Sequence, residues 1–234
     1  LAGTPRTSGA EAAPTPDKRL FELRLQDAVY GLDRPAGIAL GPDETVFVAD
    51  FGNHRVQQFD AAGVFVRTWG SLGTAEGQLG GPADVAVGPD GAVYVAEALN
   101  ARVQEFDGHG RFVRFWGSAP IAGGSLVEPR GVAVAPGGGL YVADAGAGRL
   151  VRYAADGSVV LAWGEPGSAP GQLELPAGIA VTSDGAVYVA DTGNNRIQRF
   201  SASGAFEAQW LAGGQGDRRY AAPRDVAVGA DGTL

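Results

Sequence analysis

Apolar and polar residues alternate over short segments along most of the chain. In residues 82–117 the apolar segments read "ADVAVG", "AVYVAE", "RVQEFD" and "RFVRFWG", separated by "PDG", "ALNA" and "GHG". Such alternation, with β-branched and aromatic residues inside and Gly or Asp at the breaks, is typical of strands of about 5 to 7 residues joined by tight turns. No segment carries the apolar stripe of a helix. The pattern therefore predicts a unit of four antiparallel strands.

This unit recurs with a period of 47 residues, the spacing from Pro35 to Pro82. Complete copies occupy 35–81, 82–128, 129–175 and 176–222. Prolines open the copies and tryptophans close their fourth segments: Pro35, Pro82, Pro129, Pro176 and Pro223, then Trp69, Trp116, Trp163 and Trp210. Four strands per repeat of this length are typical of a propeller blade. We predict an all-β protein, a β-propeller of four-stranded antiparallel blades, with the tryptophans packing blade against blade.

Both ends of the chain depart from the repeat. Residues 1–19 are rich in Ala, Pro and Thr and are predicted to be a flexible stem, left by a removed export signal, or else an internal linker or an artificial boundary. Residues 20–31 resemble a lone fourth strand, and 223–234 a lone first strand, so together they predict a partial closing blade within a domain of residues 20–234. We expect the natural chain to continue, by about 20 residues for five blades or about 67 for the favoured six.

Each copy places an acidic residue at the end of its second strand and an arginine five residues later. A requirement shared by every blade points to structure, so we predict charge-assisted pairs that fasten the corner between the second and third strands. The alternative is a chemical site that is repeated in each blade. The predicted fasteners are Asp50 and Arg55, Glu97 and Arg102, Asp144 and Arg149, and Asp191 and Arg196.

The motif around these pairs resembles the NHL repeat over residues 35–234. It reads "FVADFGNHRVQQF", "YVAEALNARVQEF", "YVADAGAGRLVRY" and "YVADTGNNRIQRF" in the four copies. The third copy departs most, with Ala147 in place of Asn and "PGGG" in place of the Pro-Asp-Gly turn. The resemblance implies a six-bladed or related propeller. It also implies an interaction platform of the kind found in receptors, extracellular sensors and RNA-binding regulators, and less often an enzyme such as a peptidyl-amidoglycolate lyase.

Positions that differ between copies are the candidates for recognition, since shared positions serve the shared structure. One face of a propeller carries the corners between second and third strands, the connections between blades and the start of each first strand. Arg130 and Arg224 there either pair with nearby carboxylates or capture an acidic partner. The predicted binding residues are Arg34, His54, Asp84, Glu128, Arg130, Arg218, Arg219, Tyr220, Arg224 and Asp225.

Two of these residues, Asp84 and Asp225, replace a glycine in the strand that lines the central channel. They are the candidates for holding a cation, but calcium takes about six to eight oxygens, so we expect solvated channel groups and no resident metal or cofactor. His54 and His109 are predicted on opposite faces, and the chain has no cysteine. Zinc chemistry and a cysteine nucleophile are therefore disfavoured, and no catalytic residue is predicted.

Composition narrows the choice of partner. The chain is 45% hydrophobic and 19% charged, as expected of a globular domain, and its net charge is −8. This charge disfavours nucleic acids and anionic membranes as partners. No apolar run reaches the roughly 18 residues of a membrane helix, so direct insertion is not expected.

These features together predict a non-enzymatic interaction or scaffold module. We expect it to be extracytoplasmic (periplasmic, cell-surface or secreted), to bind a protein or alternatively a glycan through its loop face, and to be able to serve as a subunit of a larger assembly. The alternative is a metal-dependent propeller lyase or lactonase-type hydrolase, with a carboxylate-lined site near Asp84, Asp225 and Glu128.

Overall fold

The computed structural model describes residues 31–117, 124–211, 222–229 and 233–234. These residues contain four antiparallel sheets, each of four strands in sequence order. The strands are β1 (Pro35–Leu40), β2 (Val46–Asp50), β3 (Arg55–Phe59) and β4 (Phe65–Trp69) in blade 1; β5 (Pro82–Val87), β6 (Val93–Glu97), β7 (Arg102–Phe106) and β8 (Phe112–Trp116) in blade 2; β9 (Pro129–Val134), β10 (Leu140–Asp144), β11 (Arg149–Tyr153) and β12 (Val159–Trp163) in blade 3; and β13 (Pro176–Val181), β14 (Val187–Asp191), β15 (Arg196–Phe200) and β16 (Phe206–Leu211) in blade 4.

The blades are arranged as a β-propeller, which confirms the predicted fold class. The first strand of each blade packs beside the first strand of the next, in the order β1, β5, β9, β13, and these strands line the channel. The second strands lie deepest: every residue of β6 and β10 is buried. The number of blades in a closed ring stays a prediction, because the described residues contain four.

Aromatic side chains join neighbouring blades. Trp69 packs on Phe106 of blade 2 with ring centroids 6.0 Å apart, and Trp116 packs on Tyr153 of blade 3 at 6.1 Å. Trp163 repeats the contact with Phe200 of blade 4 at 6.2 Å. This contact therefore recurs at each described blade interface. Tilted and edge-to-face aromatic pairs stabilise beyond their buried area, so each contact strengthens its interface.

The two ends of the described arc lack a neighbouring blade. Ile38 in β1 is 60% exposed, whereas its counterpart Val85 in β5 is 3% exposed. Residues 222–229 form no strand, although Gly178 N donates to Arg224 O at 2.9 Å and Gly229 N to Thr233 O at 2.8 Å, as in the first strand and turn of a blade. No second strand pairs with this segment in the described residues, so it lies beside β13 without a ladder. Residues 1–30, including the predicted stem, lie outside the described residues, and no described helix could cross a membrane.

Candidate functional site: the loop face and the channel

The two ends of the strands form two different faces. We call the loop face the end that carries the corners between second and third strands, the connections between blades and the start of each first strand. The turn face is the opposite end, with the tight turns between first and second and between third and fourth strands. On the loop face the corner is a single 3₁₀ turn in blades 1, 3 and 4, formed by Phe51–Asn53, Ala145–Ala147 and Thr192–Asn194.

The repeated acid and arginine meet at each corner. Their positions face each other directly at the ends of the second and third strands, so each side chain reaches its partner across the ladder. All four carboxylate side chains are fully buried. The distances from arginine Nε to the carboxylate are 2.8 Å for Arg55–Asp50, 2.6 Å for Arg102–Glu97, 3.1 Å for Arg149–Asp144 and 2.7 Å for Arg196–Asp191.

The contacts extend further than the corner predicted from sequence. Asp191 Oδ1 accepts from Glu174 N of the preceding connection at 2.7 Å, and Glu97 Oε2 accepts from Gly80 N at 2.8 Å. Arg196 donates to three carbonyls of the same connection, those of Ser168, Ala169 and Gln172. Each pair thus fixes the connection between two blades as well as its own corner.

A glutamine in the third strand is a further member of this network that the sequence analysis missed. Gln57, Gln104 and Gln198 are fully buried, and Nε2 of each donates to the fastener carboxylate at 3.0, 2.8 and 2.9 Å respectively. The signal was present in the spacing, since these glutamines recur with the period of the repeat. Val151 breaks the series in blade 3. An isolated Gln among apolar strand residues suggests a solvent-facing position rather than a buried one.

The network has an electrostatic consequence at Asp50. Burial by itself would raise the pKa of this carboxyl, but hydrogen bonds from Arg55, Asn53, Gln57 and the Asp33 N–H outweigh it and hold the pKa below its usual value. Asp50 is therefore stabilised as an anion, which fits a fastener better than a proton carrier.

His54 joins the corner of blade 1 to the start of blade 2. It adopts a left-handed conformation (φ 55°), and its Nδ1 accepts from Gly81 N at 3.0 Å. Asn195 makes the same connection in blade 4, where Oδ1 accepts from Ala222 N at 2.7 Å. The imidazole predicted to bind a partner is thus engaged with the backbone of the next blade.

His54→Ala is expected to lower the free energy of unfolding by about 1 kcal/mol, because the Gly81 N–H loses its acceptor. Urea denaturation of both proteins measures this. His109→Ala is the matched control: this side chain lies on the exposed turn face, where Nδ1 contacts Arg67 Nη1 at 3.2 Å, and its removal should change stability by less than about 0.5 kcal/mol. Equal losses in the two variants would contradict a role for His54 between the blades.

Side chains peculiar to single copies gather beside His54, where Arg34 and Leu99 are exposed and Phe51 is partly buried. The guanidinium of Arg34 lies over the Phe51 ring at 5.3 Å, and its only described ion pair is with Asp33 at 3.8 Å. Leu99 is 64% exposed. Leu99 and Phe51 approach Gly81 together, since a Cβ there would lie about 3 Å from both side chains. We call Arg34, Phe51 and Leu99 the apolar patch.

The other predicted binding residues are differently placed. Arg130 and Glu128 pair with each other at 2.7 Å on the loop face, which is the salt-bridge arrangement that the sequence analysis left open. Arg224 is exposed, and its carbonyl accepts from Gly178 N. Arg218, Arg219 and Tyr220 lie outside the described residues.

Asp84 lies in the channel wall, where the first strands of three blades meet. Its Oδ1 accepts from Val85 N in the same strand at 2.8 Å, and its Oδ2 accepts from Val132 N of blade 3 at 2.9 Å. On the other side it lies against Gly37 of blade 1, where any Cβ would overlap Oδ1. The same Cβ would lie 2.7 Å from Asp84 Cα, so the close approach of β5 to β1 itself requires glycine at position 37.

Asp225 repeats part of this arrangement. Its Oδ1 accepts from Val226 N at 2.8 Å and lies against Gly178 of blade 4, which again lacks a Cβ. Its carboxylate is more exposed than that of Asp84, and burial raises its pKa. The two aspartates predicted to face the channel are thus held by backbone amides of the wall.

Burial raises the pKa of Asp84 to about 7. The Val132 N–H opposes this shift, whereas the negative charge of Asp225 adds to it. Asp84 keeps some contact with the channel, but the surrounding strands remove most of the water that would stabilise its charge. The carboxyl therefore changes charge near neutral pH.

The free energy of unfolding of Asp84→Asn is expected to rise progressively relative to that of the natural protein as the pH rises from about 4 to about 7. In this range the unfolded chain, with a pKa near 3.9, releases the proton that the folded protein retains. Folding is thus disfavoured by up to about 1.4 kcal/mol per pH unit in the natural protein only. Urea unfolding of both proteins at several pH values tests this. The lost backbone acceptor shifts the difference by a constant, so a difference that does not vary with pH contradicts the raised pKa.

The two ends of the channel wall differ in chemistry. Among the described residues no group of three or more acidic or histidine side chains is placed to bind a metal ion. At the turn face, a cavity of about 630 Å³ opens between the first three blades and is lined by Leu40, Val87, Val134 and the adjoining Pro-Gly turns. The channel wall is thus acidic toward the loop face and apolar toward the turn face.

Comparison with known proteins supports the repeat and the fold. The NHL repeat model matches residues 32–59, 126–153 and 173–200, which confirms the predicted NHL-like repeat at these three positions. They fall in copies 1, 3 and 4; in the second copy Glu97 and Leu99 replace the Asp and Gly of the motif. No curated protein matches the chain significantly.

Solved structures of similar fold are enzymes in several cases. A streptogramin B lyase structure aligns with a TM-score of 0.64 at 18% identity, covering 85% of this chain and 60% of its own. The virginiamycin B lyase from Staphylococcus aureus gives 0.62 at 17%, covering 82% and 59%. Hydrazine synthase of Kuenenia stuttgartiensis gives 0.62 at 19%, covering 88% and 56%. The chain thus spans less than two thirds of each, and at these identities the likeness concerns the fold.

Proposed function

We propose that this chain is a non-enzymatic interaction module that binds a protein partner through its loop face. The observation that supports the proposal is the difference in burial between the repeated and the variable residues of that face. The polar residues repeated in every blade are buried in the fastener networks. The residues peculiar to single blades, such as Arg34 and Leu99, remain exposed.

The apolar patch has the chemistry of a protein-binding surface. Interfaces are enriched in aromatic residues and arginine and contain apolar side chains at their centre. Phe51 with Arg34 over its ring supplies the first two, and Leu99 and Val127 add exposed apolar surface on the same face. The net charge of −8 favours a protein or glycan over a nucleic acid.

Affinity capture with two sets of variants tests the proposal. The loop-face set is Arg34→Ser, Leu99→Ser and Val127→Ser combined. The control set, Val64→Ser, Val113→Ser and Val160→Ser, removes as many exposed side chains from outer strands and their turns. We expect the natural and control proteins to capture the same partner and the loop-face set to lose at least tenfold. Equal capture by both sets would overturn the proposal, and loss of capture after glycosidase treatment would identify a glycan.

We further propose that the module works outside the cytoplasm. The composition of residues 1–19, which resembles the stem behind an export signal, supports this. Fractionation of cells that express the natural gene product tests it, and recovery only with the cytoplasmic fraction would contradict it.

A second candidate function is a channel enzyme of the lyase or hydrolase type. Asp84 favours it, since a carboxyl with a pKa of about 7 can act as a general acid or base at neutral pH. A metal ion would add Lewis-acid chemistry, with Asp84 and Asp225 as the carboxylates nearest to it. Elemental analysis of the natural protein and of Asp84→Asn separates the candidates. A stoichiometric divalent ion that is lost in the variant favours the enzyme.

A further inference from the structure

The cavity of about 630 Å³ on the turn face opens where the first strands of blades 1, 2 and 3 end. We call it the turn-face cavity. It is at the opposite end of the strands from the apolar patch, so it forms no part of the proposed binding face. Its size suits a small molecule, since pockets for such ligands usually measure about 300–1,000 Å³.

The wall of the turn-face cavity is apolar and accessible. Three blades each contribute the last residue of the first strand and the proline two positions later: Leu40 and Pro42, Val87 and Pro89, and Val134 and Pro136. Leu40 is 66% exposed, and the three prolines are exposed as well. A ligand in the cavity can therefore contact these side chains directly.

The turn of blade 3 leaves space on one side of the cavity. It consists of Gly137, Gly138 and Gly139, which adopt φ angles of 81°, 92° and 83°. Gly137 and Gly138 line the cavity, and a Cβ on Gly137 would meet no other atom within 4 Å. No side chain of this turn therefore occupies the cavity.

The turns around the cavity carry negative charge and no positive charge. The turns between first and second strands, residues 41–45, 88–92, 135–139 and 182–186, contain no Lys, Arg or His. Their charged residues are Asp43, Glu44, Asp90 and Asp184. The basic residues described toward the turn face, such as Arg111 and Arg152, belong to the third and fourth strands and the turns between them. Together with the net charge of −8, this arrangement favours a cationic ligand.

Two of these carboxylates lie beside the cavity wall. A Cβ on Gly88 would be 2.6 Å from Asp90 Oδ1, and a Cβ on Gly41 would be 3.2 Å from Asp43 Oδ1. Both glycines line the cavity, and both aspartates are exposed. The Thr45 hydroxyl donates to Asp43 Oδ1 at 2.6 Å and lowers the pKa of this carboxyl, which is therefore ionised at neutral pH.

Neither carboxylate is neutralised within the part of the chain that the structure describes. Asp43 accepts only from Thr45, and Asp90 accepts only from Ala92 N at 3.2 Å. A carboxylate has about four acceptor positions, so each of them can accept further hydrogen bonds from a ligand.

We propose that the turn-face cavity binds an organic ammonium ion that carries an alkyl chain. The chain lies against Leu40, Val87 and Val134, and the ammonium group lies beside the carboxylates of Asp43 and Asp90. The occupant is a free small molecule, because the cavity is larger than one lysine side chain of a protein partner would fill.

Titration of the natural protein with n-hexylammonium, followed by NMR chemical shifts, tests the proposal. We expect a dissociation constant on the order of a few millimolar. n-Propylammonium should bind at least tenfold more weakly, because each buried methylene strengthens binding by about fourfold. The neutral 1-hexanol should bind about threefold more weakly at low salt, and about 0.5 M NaCl should remove this difference.

Three results of this titration would overturn the proposal. The first is equal binding of n-hexylammonium and n-propylammonium, which would exclude an apolar contact. The second is equal binding of n-hexylammonium and 1-hexanol at low salt, which would exclude recognition of the charge. The third is no binding of n-hexylammonium at about ten times the expected dissociation constant.

Leu40→Lys locates the apolar part of the site. It places a positive charge at the cavity and is expected to weaken the binding of n-hexylammonium at least tenfold. Val160→Lys is the matched control, because it makes the same change of charge in the outer strand β12 at a side chain that is 51% exposed. This control should bind as the natural protein does. Unchanged affinity in Leu40→Lys, or equal losses in both variants, would contradict binding in the cavity.

The double variant Asp43→Asn, Asp90→Asn isolates the contribution of the charge. Asn retains an Oδ1 that can accept from Thr45 and Ala92, so both turns should be preserved. We expect this variant to bind n-hexylammonium no more tightly than 1-hexanol, while its affinity for 1-hexanol stays that of the natural protein. A preserved preference for the cation would overturn the proposal.

N-acetyl-lysine N-methylamide tests whether the ammonium group comes from a protein partner. Weaker binding of this ligand than of n-hexylammonium supports a free small molecule. Tighter binding would indicate a lysine side chain and would overturn the proposed occupant.

Discussion

Arg196→Ala is expected to lower the free energy of unfolding by about 3–5 kcal/mol, the usual cost of removing one partner from a buried ion pair. Both side chains of the Arg196–Asp191 pair are almost entirely buried. Without the guanidinium, Asp191 keeps hydrogen bonds from Asn194, Gln198 and the Glu174 N–H but loses its only described cation. Urea denaturation measures the loss.

Arg111→Ala is the matched control for this prediction. Arg111 pairs with Asp107 at 2.6 Å on the turn face, and its side chain is 77% exposed. Exposed pairs contribute less than about 1 kcal/mol, because water and salt screen them. Similar stability losses for Arg196→Ala and Arg111→Ala would show that the repeated pair is not a fastener.

Trp116→Ala is expected to cost about 3–5 kcal/mol of unfolding free energy. This ring is 2% exposed and packs edge-on against Tyr153 of the next blade. Its Nε1 donates to Glu105 at 2.8 Å, so truncation opens a cavity between blades 2 and 3 and also leaves an acceptor with one donor fewer. Thermal and urea unfolding both report the change.

Trp210 provides the comparison within the same repeat. It occupies the equivalent position in blade 4, stacks on Tyr188 and is 43% exposed, with no following blade among the described residues. In a protein that consists of residues 1–234, Trp210→Ala should therefore cost about 1 kcal/mol, in proportion to the smaller apolar area that it buries. Equal effects of the two substitutions would contradict aromatic packing between blades as a main source of stability.

The fold could be predicted from the sequence because the same pattern of strands and turns recurs in four complete copies. The constant spacing from Pro35 to Pro82 and onward gives the length of the repeated unit. The alternation of apolar and polar residues within the unit indicates that it consists of strands. The bounds of β5 to β8 follow the segments marked by the turns. The pairing of Asp191 with Arg196 could be anticipated for the same reason, since their spacing puts them opposite each other across a corner.

Contacts between copies could not be predicted, because they depend on how closely the blades approach. Asp84 bonds to Val132, a residue 48 positions away, and needs the space left by Gly37. The first strand expected at 223 shows a related limit: a strand needs a ladder partner, and none pairs with it in the described part of the chain.

The difference between blade 1 and blade 3 at one strand position could not be predicted either. Phe47 and Gln58 are ordinary strand residues when each is considered alone. Only their register against Tyr141 with Arg152, seen in the structure, shows that blade 1 keeps the ring and lacks the cation. A residue difference between repeats can be interpreted only when the structure shows which residues occupy equivalent positions in the blades.

We propose that repeated polar residues hold the blades together while residues peculiar to one blade recognise the partner. Arg102→Ala tests it most directly, because Arg102 is a fastener whose side chain is 17% exposed and could reach a partner on the loop face. We predict lower stability in urea and an unchanged affinity of the folded variant for the captured partner. Unchanged stability together with lost affinity would contradict the claim.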